Sequence, residues 1–451
     1  MAGGTWTSQN KALPGVYINT LSQGNLNAGA GERGTVAIAE PLSWGPSGVV
    51  QTVIPGDNTV PYIGYDITHE KALFLREMVK GSDTTSGPVK ILLYRLKGTG
   101  GAKAAATIGG LTATALYDGL RGNDITVMVS GDPDQEGILD VVTVVDGTVA
   151  DEQSVAAISE LHGNSWVEFS GSGELEESAG QSLSGGKDPT VGPADYAAFL
   201  TAIEPYQFDI LVYDGTDNTV IQAIAAFVKR ISERVGLKCQ AVMAEAQGCN
   251  SEWVISVNNG VKLSNGTVLT AQQATWWLGG AQAGARYNQS LTYAQYLDAV
   301  EALPKLSDTE SELAVQSGEI VFIDNFDTVK VCSDINTLTS FTTVKHKEYS
   351  KNRVMRVLNQ FCNDAYKQYS LYYIGKTDNN EEGRSLFKAW LVDYLGKMQK
   401  NNGIQNFVPD DISVLPGEES DAVLINSGLQ PVDSVEKIYM TVPVSDNIQT
   451  E

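Results

Sequence analysis

Phe208-Asp209-Ile210-Leu211-Val212-Tyr213 is a short apolar run; Asp214-Gly215-Thr216-Asp217 follows as a turn, and Asn218-Thr219-Val220-Ile221 opens an amphipathic segment. The run reads as a strand over 208–213. Beyond the turn, Val220, Ile224, Phe227, Val228, Ile231 and Val235 share one stripe of a helix over 219–235, and Gly236 stops it. The alternation continues on both sides. A helix is predicted over 194–203, strands over 237–244 and 253–257, and a helix over 270–285 capped by Thr270. Helix and strand in turn build a partly parallel sheet.

Upstream, 29–34 is glycine-rich and leads into an apolar strand over 35–39. A helix over 69–79 carries Leu73, Phe74 and Met78 toward a core, with Gly81 just past its end, and 89–96 reads as a buried strand. At Lys97 the texture changes. Gly98-Thr99-Gly100-Gly101 and a run of alanines open a compact segment that closes near Ser184-Gly185-Gly186. It carries hairpin strands over 125–129 and 138–145, a turn at Asp146-Gly147, a short helix over 151–161 and a strand over 166–169. Bounded by glycines, this is the pattern of a small α+β domain inserted into a larger one.

The last third has strands over 319–322 and 329–332, then two long helices. One, over 352–369, buries Val354, Val357, Phe361 and Ala365; the other, over 383–400, buries Leu386, Trp390, Tyr394 and Met398. Strands over 412–415 and 422–425 follow. The fold class expected is therefore multidomain α/β and α+β. An α/β core (27–97 and 188–345) carries the inserted α+β domain (98–187), a C-terminal α+β domain (346–425) and extended strand arms at 1–26 and 426–451.

Both arms are strands in search of a sheet. Leu13-Pro14-Gly15-Val16-Tyr17-Ile18-Asn19-Thr20 is β-branched and aromatic within a polar, Gly/Ser/Asn-rich surround. Lys437-Ile438-Tyr439-Met440-Thr441-Val442-Pro443-Val444 alternates in period two, placing Ile438, Met440, Val442 and Val444 on one face. Unpaired strand edges invite partners, so Val16, Tyr17, Ile18, Ile438, Met440, Val442 and Val444 are the candidate intersubunit strand residues.

Composition narrows the function classes. At 451 residues with 42% apolar content, the chain fills two to four domains. A net charge of −23, from 31 basic and 54 acidic residues, disfavours direct contact with nucleic acid or an anionic membrane. Residues 1–10 lack a secretory pattern and no apolar run approaches a membrane-spanning length, which predicts a chain that begins in the cytoplasm and stays soluble. Cys239, Cys249, Cys332 and Cys362 have no metal-ligand or redox spacing and read as reduced thiols.

Chemical motifs fail one by one, so no catalytic, metal or cofactor residue is predicted. Asp132-Pro133-Asp134-Gln135-Glu136-Gly137 starts like a calcium loop, yet Thr143 stands where the bidentate Glu belongs, and a hairpin loop explains it better. Gly375-Lys376-Thr377 matches the end of a phosphate loop, but Ser370 replaces the leading glycine. His69, His162 and His346 lie in separate segments with surface or capping roles. The Trp276-Trp277 pair reads as packing. An enzymatic alternative places a hydrolase-like site at Asp214 and Asp217, although turn and N-cap chemistry accounts for both. A monomeric binding module would need no donor strands.

One patch departs from the acidic background: Lys345, Lys347, Lys351, Arg353, Arg356 and Lys367 run onto the first C-terminal helix. Arg353 and Arg356, three apart, would share a face with the character of a docking surface for an acidic partner.

Leu13-Pro14-Gly15-Val16-Tyr17-Ile18, the segment Leu111-Thr112-Ala113-Thr114-Ala115-Leu116-Tyr117-Asp118-Gly119-Leu120-Arg121-Gly122-Asn123-Asp124-Ile125 and the exit Leu183-Ser184-Gly185-Gly186 resemble contractile tail sheath proteins of phages and phage-tail-like bacteriocins of Gram-positive type. The resemblance spans essentially the whole chain. It implies hexameric rings stacked helically around a tail tube, arms exchanged between subunits, an inner C-terminal domain and inserted domains that project outward. Tube, baseplate and tail terminator proteins would be the partners, with assembly in the host cytoplasm. Lys351, Arg353, Arg356 and Lys367 become tube-facing candidates, with Arg384, Lys388 and Lys397 competing on the second helix.

Overall fold

The computed structural model describes residues 3–4, 15–17 and 33–443. Its centre is a seven-stranded sheet. In chain order the strands are β1 (Thr35–Glu40), β2 (Val50–Val53), β3 (Lys90–Arg95), β4 (Ile210–Tyr213), β5 (Gln240–Ala244), β6 (Val254–Val257) and β7 (Glu319–Ile320). Across the sheet they run β7-β6-β5-β4-β1-β3-β2, all parallel except β2, which is antiparallel to β3. The chain winds outward in both directions from β1 and β4, so the order reverses between them.

Strand alternation decides which residue faces which layer. Val36, Ile38, Ile91, Leu93, Ile210, Val212 and Val242 point to one face, under α1 (Leu73–Val79) and α4 (Ala271–Gly284). Ala37, Ala39, Leu92, Tyr94, Leu211, Tyr213 and Met243 point to the other, under α2 (Pro193–Ile203) and α3 (Asn218–Arg230). Both faces are covered, which is why the strands read as continuous apolar runs. Thr270 caps α4 through a capping box with Gln273, and Trp277 stacks on Tyr296 with ring centroids 4.2 Å apart. Gly280 and Gly284 bring α4 against the backbone of Met78 and Ser86, where a Cβ would lie 1.8 and 2.1 Å from carbonyl oxygens.

Between β3 and α2 sits an insert of two packed sheets. One is four-stranded, in the order Thr148–Val155, Leu139–Val145, Ile125–Gly131, Ser178–Ser182; the other is three-stranded, in the order Val167–Gly171, Leu111–Asp118, Lys103–Ile108. Entry and exit are zipped together. Thr99 and Thr190 exchange both backbone hydrogen bonds at 3.0 and 2.8 Å, as do Ala102 and Lys187 at 3.0 Å each. The buried Arg95 guanidinium, at the end of β3, donates to the carbonyls of Leu42, Gly45 and Asp118 at 2.8, 2.6 and 2.8 Å, so core and insert share one anchor.

The helix expected over 151–161 is not formed. Asp146 and Gly147 adopt positive φ (51° and 74°), the geometry of a tight hairpin turn, and hold Thr148–Val155 against Leu139–Val145. Only the short 3-10 turn Ile158–Glu160 follows, so the insert is a β-sandwich rather than α+β in character.

Helices α5 (Asn352–Tyr372) and α6 (Glu381–Lys400) build the C-terminal domain with the hairpin Ile412–Pro416/Val423–Ser427. Val354, Met355 and Leu358 of α5 join the second face of the core, while Val357, Phe361, Ala365 and Tyr369 pack on Leu391, Tyr394, Leu395 and Met398 of α6. Leu386, expected inside, is 55% exposed, because the contact with α5 is centred one turn further along.

Candidate functional site

No helix of the described residues is long and apolar enough to cross a membrane. The candidate interaction site lies where the two arms leave the body. On the C-terminal side the chain passes Gly403, whose carbonyl accepts from Val432 N at 3.0 Å, and then reaches Glu436. Glu436 accepts from Thr292 Oγ1 at 2.8 Å and pairs with Lys351. Beyond it Ile438, Tyr439, Met440 and Val442 are 84, 90, 81 and 67% exposed and belong to no strand; Val444 lies outside the described residues. On the N-terminal side Val16 and Tyr17 pair in parallel with Gly3 and Gly4, a match of two residues, and Ile18 lies outside the described residues. The root of this arm is Arg33, which pairs with Asp209 at 3.8 Å and donates to the carbonyls of Gln282 and Ala283 at 3.4 Å.

The two roots meet at one buried carboxylate. Asp334 Oδ1 accepts from Gln282 Nε2 at 2.7 Å and Asn352 Nδ2 at 2.9 Å; Oδ2 accepts from Leu291 N at 2.9 Å and from Arg356 Nη2. Its backbone N–H donates to Thr292 Oγ1 at 2.9 Å, the hydroxyl that holds Glu436. Arg33 and Glu436 are thereby joined through Gln282, Asp334 and Thr292. Burial alone would push the Asp334 carboxyl up; the Arg356 charge and the converging donors outweigh it and hold the group below the usual carboxylate range.

This network corrects the expected basic face. Arg356 is fully buried, Arg353 is nearly so, and Lys351 is engaged by Glu436. Their side chains face the core because α5 is sandwiched between the sheet layer and α6. Lys367 is exposed. On α6, Lys397 pairs with Asp393, Arg384 bonds Asn379 at 3.0 Å, and Lys388 has no ion-pair partner among the described residues. The signal that was missed is composition: the polar face of α5 carries Asn352, Asn359, Gln360 and Asn363, amides suited to burial, where a solvated face carries Lys and Glu.

The strand-to-helix turn at Asp214 falls where the strand order reverses, the place where ligands bind in open α/β sheets. Here it is filled by its own side chains. Trp276 Nε1 donates to Asp214 Oδ2 at 2.9 Å, and the Glu40 carboxyl, at the end of β1, bonds the same group. Burial first, and then the Asp214 charge, push the Glu40 carboxyl well above its ordinary range. Asp217 caps α3, accepting from Thr219 N at 2.7 Å. Asp132–Gly137 forms the loop between two insert strands, and Gly375-Lys376-Thr377 lies in the turn after α5 rather than after a strand. His69 caps a 3-10 turn by accepting from Lys71 N at 3.1 Å.

Four known sequence families match along the chain: the tail sheath protein Gp18 domain III N-terminal region at residues 33–96, the phage tail sheath protein beta-sandwich domain at 99–188, the phage tail sheath protein central domain at 190–337 and the phage tail sheath C-terminal domain at 344–445. The phage-like element PBSX protein XkdK of Bacillus subtilis is 34% identical over 99% of this chain and 100% of its own. Among solved structures, the sheath tail protein of Desulfitobacterium hafniense is 41% identical with a TM-score of 0.85, covering 95% of this chain and 99% of its own. That of Listeria innocua is 32% identical with a TM-score of 0.77, covering 92% and 96%. The contracted helical sheath of the anti-feeding prophage, 12% identical with a TM-score of 0.56 over 96% of this chain and 100% of its own, shares the fold.

Proposed function

The chain belongs to the phage tail sheath protein family, and from that premise we propose how its copies join and what moves them. It is a structural subunit of a tail or tail-like particle. Copies stack as hexameric rings in a helix around a tail tube, between a baseplate and a terminator, and assemble in the host cytoplasm. The observation that carries this reading is the pairing of needs in the C-terminal domain. Exposed apolar residues at 438–442 lack a sheet, and the hairpin Ile412–Pro416/Val423–Ser427 pairs with no third strand among the described residues. A two-stranded hairpin is marginal alone and gains from added strands.

Arms from sister copies complete that hairpin, each backbone hydrogen bond adding about 0.5–1.5 kcal/mol net, so the mesh holds by repetition. The body moves nearly rigidly while the arms act as hinges. An extended lattice templated by the tube relaxes to a wider, shorter one with more favourable subunit contacts, and this drives the tube through a cell envelope. Charge on α6 faces the tube, with Lys388 a cation that has no ion-pair partner among the described residues; Lys367 of α5 adds to it, whereas Arg353 and Arg356 do not. Negative-stain imaging of the purified protein tests the reading: long tubes are expected, and a small monodisperse species at high concentration refutes it.

A further inference from the structure

The hairpin Phe322–Asn325/Thr328–Val331 ends in a two-residue turn, Phe326-Asp327, with φ of 46° and 62°. Such a turn favours Asn-Gly, because side chains with positive φ crowd their own backbone, and a bulky aromatic there is an outlier. Phe326 is 94% exposed, so no contact with the described residues offsets either the strain or the wetted ring. Beside the hairpin lies a groove of about 550 Å³ with an apolar floor that includes Tyr293, Leu306, Val315, Phe322 and Cys332, edged by the charged Lys305, Asp308, Glu312 and Asp324. Knob and groove are neighbours on one surface, yet the knob does not enter its own groove.

We propose that Phe326 of one subunit seats in this groove of the next, a head-to-tail contact between copies of this chain. The proposal rests on the sheath reading. A knob seated in the next subunit's groove, with that subunit's own knob passed on to a third, is a non-reciprocal contact that generates a ring or a helix rather than a closed dimer, which is the symmetry a sheath needs. The surface also continues into an arm root: Tyr293 N donates to Val331 O at 2.7 Å, and the adjacent Thr292 holds Glu436. Copies with a net charge of −23 repel, so burying an aromatic plug against the groove's apolar residues, beside Lys305, is the kind of contact that lets them approach.

The test uses the native thiol. Phe326 sits at the hairpin tip and Cys332 just beyond its open end, more than about 10 Å away along the strands, so the two positions cannot bridge within one molecule. In a Cys249→Ser background, Phe326→Cys treated with a short bismaleimide should give a ladder of covalent oligomers from assembled tubes. Adding Cys332→Ser should abolish the ladder. In parallel, Phe326→Asn, which suits the turn, should leave subunit melting unchanged or higher while raising the critical concentration for polymerisation about tenfold. Tubes that assemble at the wild-type concentration with Phe326→Asn, or assembled tubes that give no Cys332-dependent ladder, overturn the proposal. Wild-type protein that forms no tubes overturns the sheath reading instead.

Discussion

Arg356 donates to Asp334 with both side chains fully removed from solvent, and this pair ties α5 to α4 and to the segment that holds the C-terminal arm. A buried ion pair is a poor source of net stability but a costly thing to break, since the remaining charge is stranded. Asp334→Ala should therefore destabilise the subunit by about 3–5 kcal/mol, measured by denaturant unfolding. Arg356→Glu should unfold the domain rather than weaken docking to a tube; a fully folded, stable Arg356→Glu protein would refute the burial described here. Because the Asp334 carboxyl is held below its unfolded value, its contribution is present above pH ~4 and is lost as pH falls through the lower folded value.

Glu40 works in the opposite sense. Its folded value is raised, so the folded state keeps a proton that the unfolded state gives up, and stability falls as pH climbs above ~4.3. Glu40→Gln preserves a donor toward Asp214 without the ionisation. It should raise the melting temperature at neutral pH by about 2 °C or more, and the gain should vanish below pH 4. A gain that is constant from pH 3 to 8 would contradict the raised Glu40 carboxyl.

Deleting residues 437–451, or residues 1–20, should leave a folded subunit by circular dichroism that forms no tubes by electron microscopy. The C-terminal cut falls beyond Glu436 and its bonds to Thr292 and Lys351, so there the body loses no described anchor; the N-terminal cut removes Gly3–Gly4 and Val16–Tyr17, which lie against Ile231–Val235 and α5. Normal tubes from either truncation would end the strand-exchange reading.

Lys388→Glu should reduce co-assembly with tail tube protein several-fold at physiological salt while leaving the subunit's stability within about 0.5 kcal/mol, because an unpaired surface cation contributes little to folding. The deficit should shrink as salt screens the contact. Unchanged co-sedimentation would remove α6 from the tube-facing surface.

Much of the core was legible because its signals are local. The strand over 208–213, the helix after it and Gly236 as stop appear as Ile210–Tyr213, Asn218–Arg230 with a π turn to Val235, and Gly236 at φ 104°. What misled was what lies opposite. Residues 151–161 have helix-like composition, but the turn at Asp146-Gly147 commits 151–155 to pairing, and only a 3-10 turn is left beyond them. The spacing of Arg353 and Arg356 correctly puts them on one face of α5, yet periodicity does not say whether that face meets water or another layer. The hub at Asp334 draws on residues from 282 to 356, a convergence that no single window contains. Glu40 and Asp214 likewise meet only because β1 and β4 are adjacent.

The insert leaves and re-enters the core through a single doorway, latched by the paired backbones of Thr99 with Thr190 and Ala102 with Lys187. A module attached in this way behaves as a cartridge. A foreign binding domain spliced into its distal loops should leave the sites from which the arms depart at their spacing, provided the contacts of Arg95, Trp44 and Arg121 at the doorway are kept. That makes the Asp132–Gly137 loop a natural port for decorating an assembled particle without rewriting the part that holds it together.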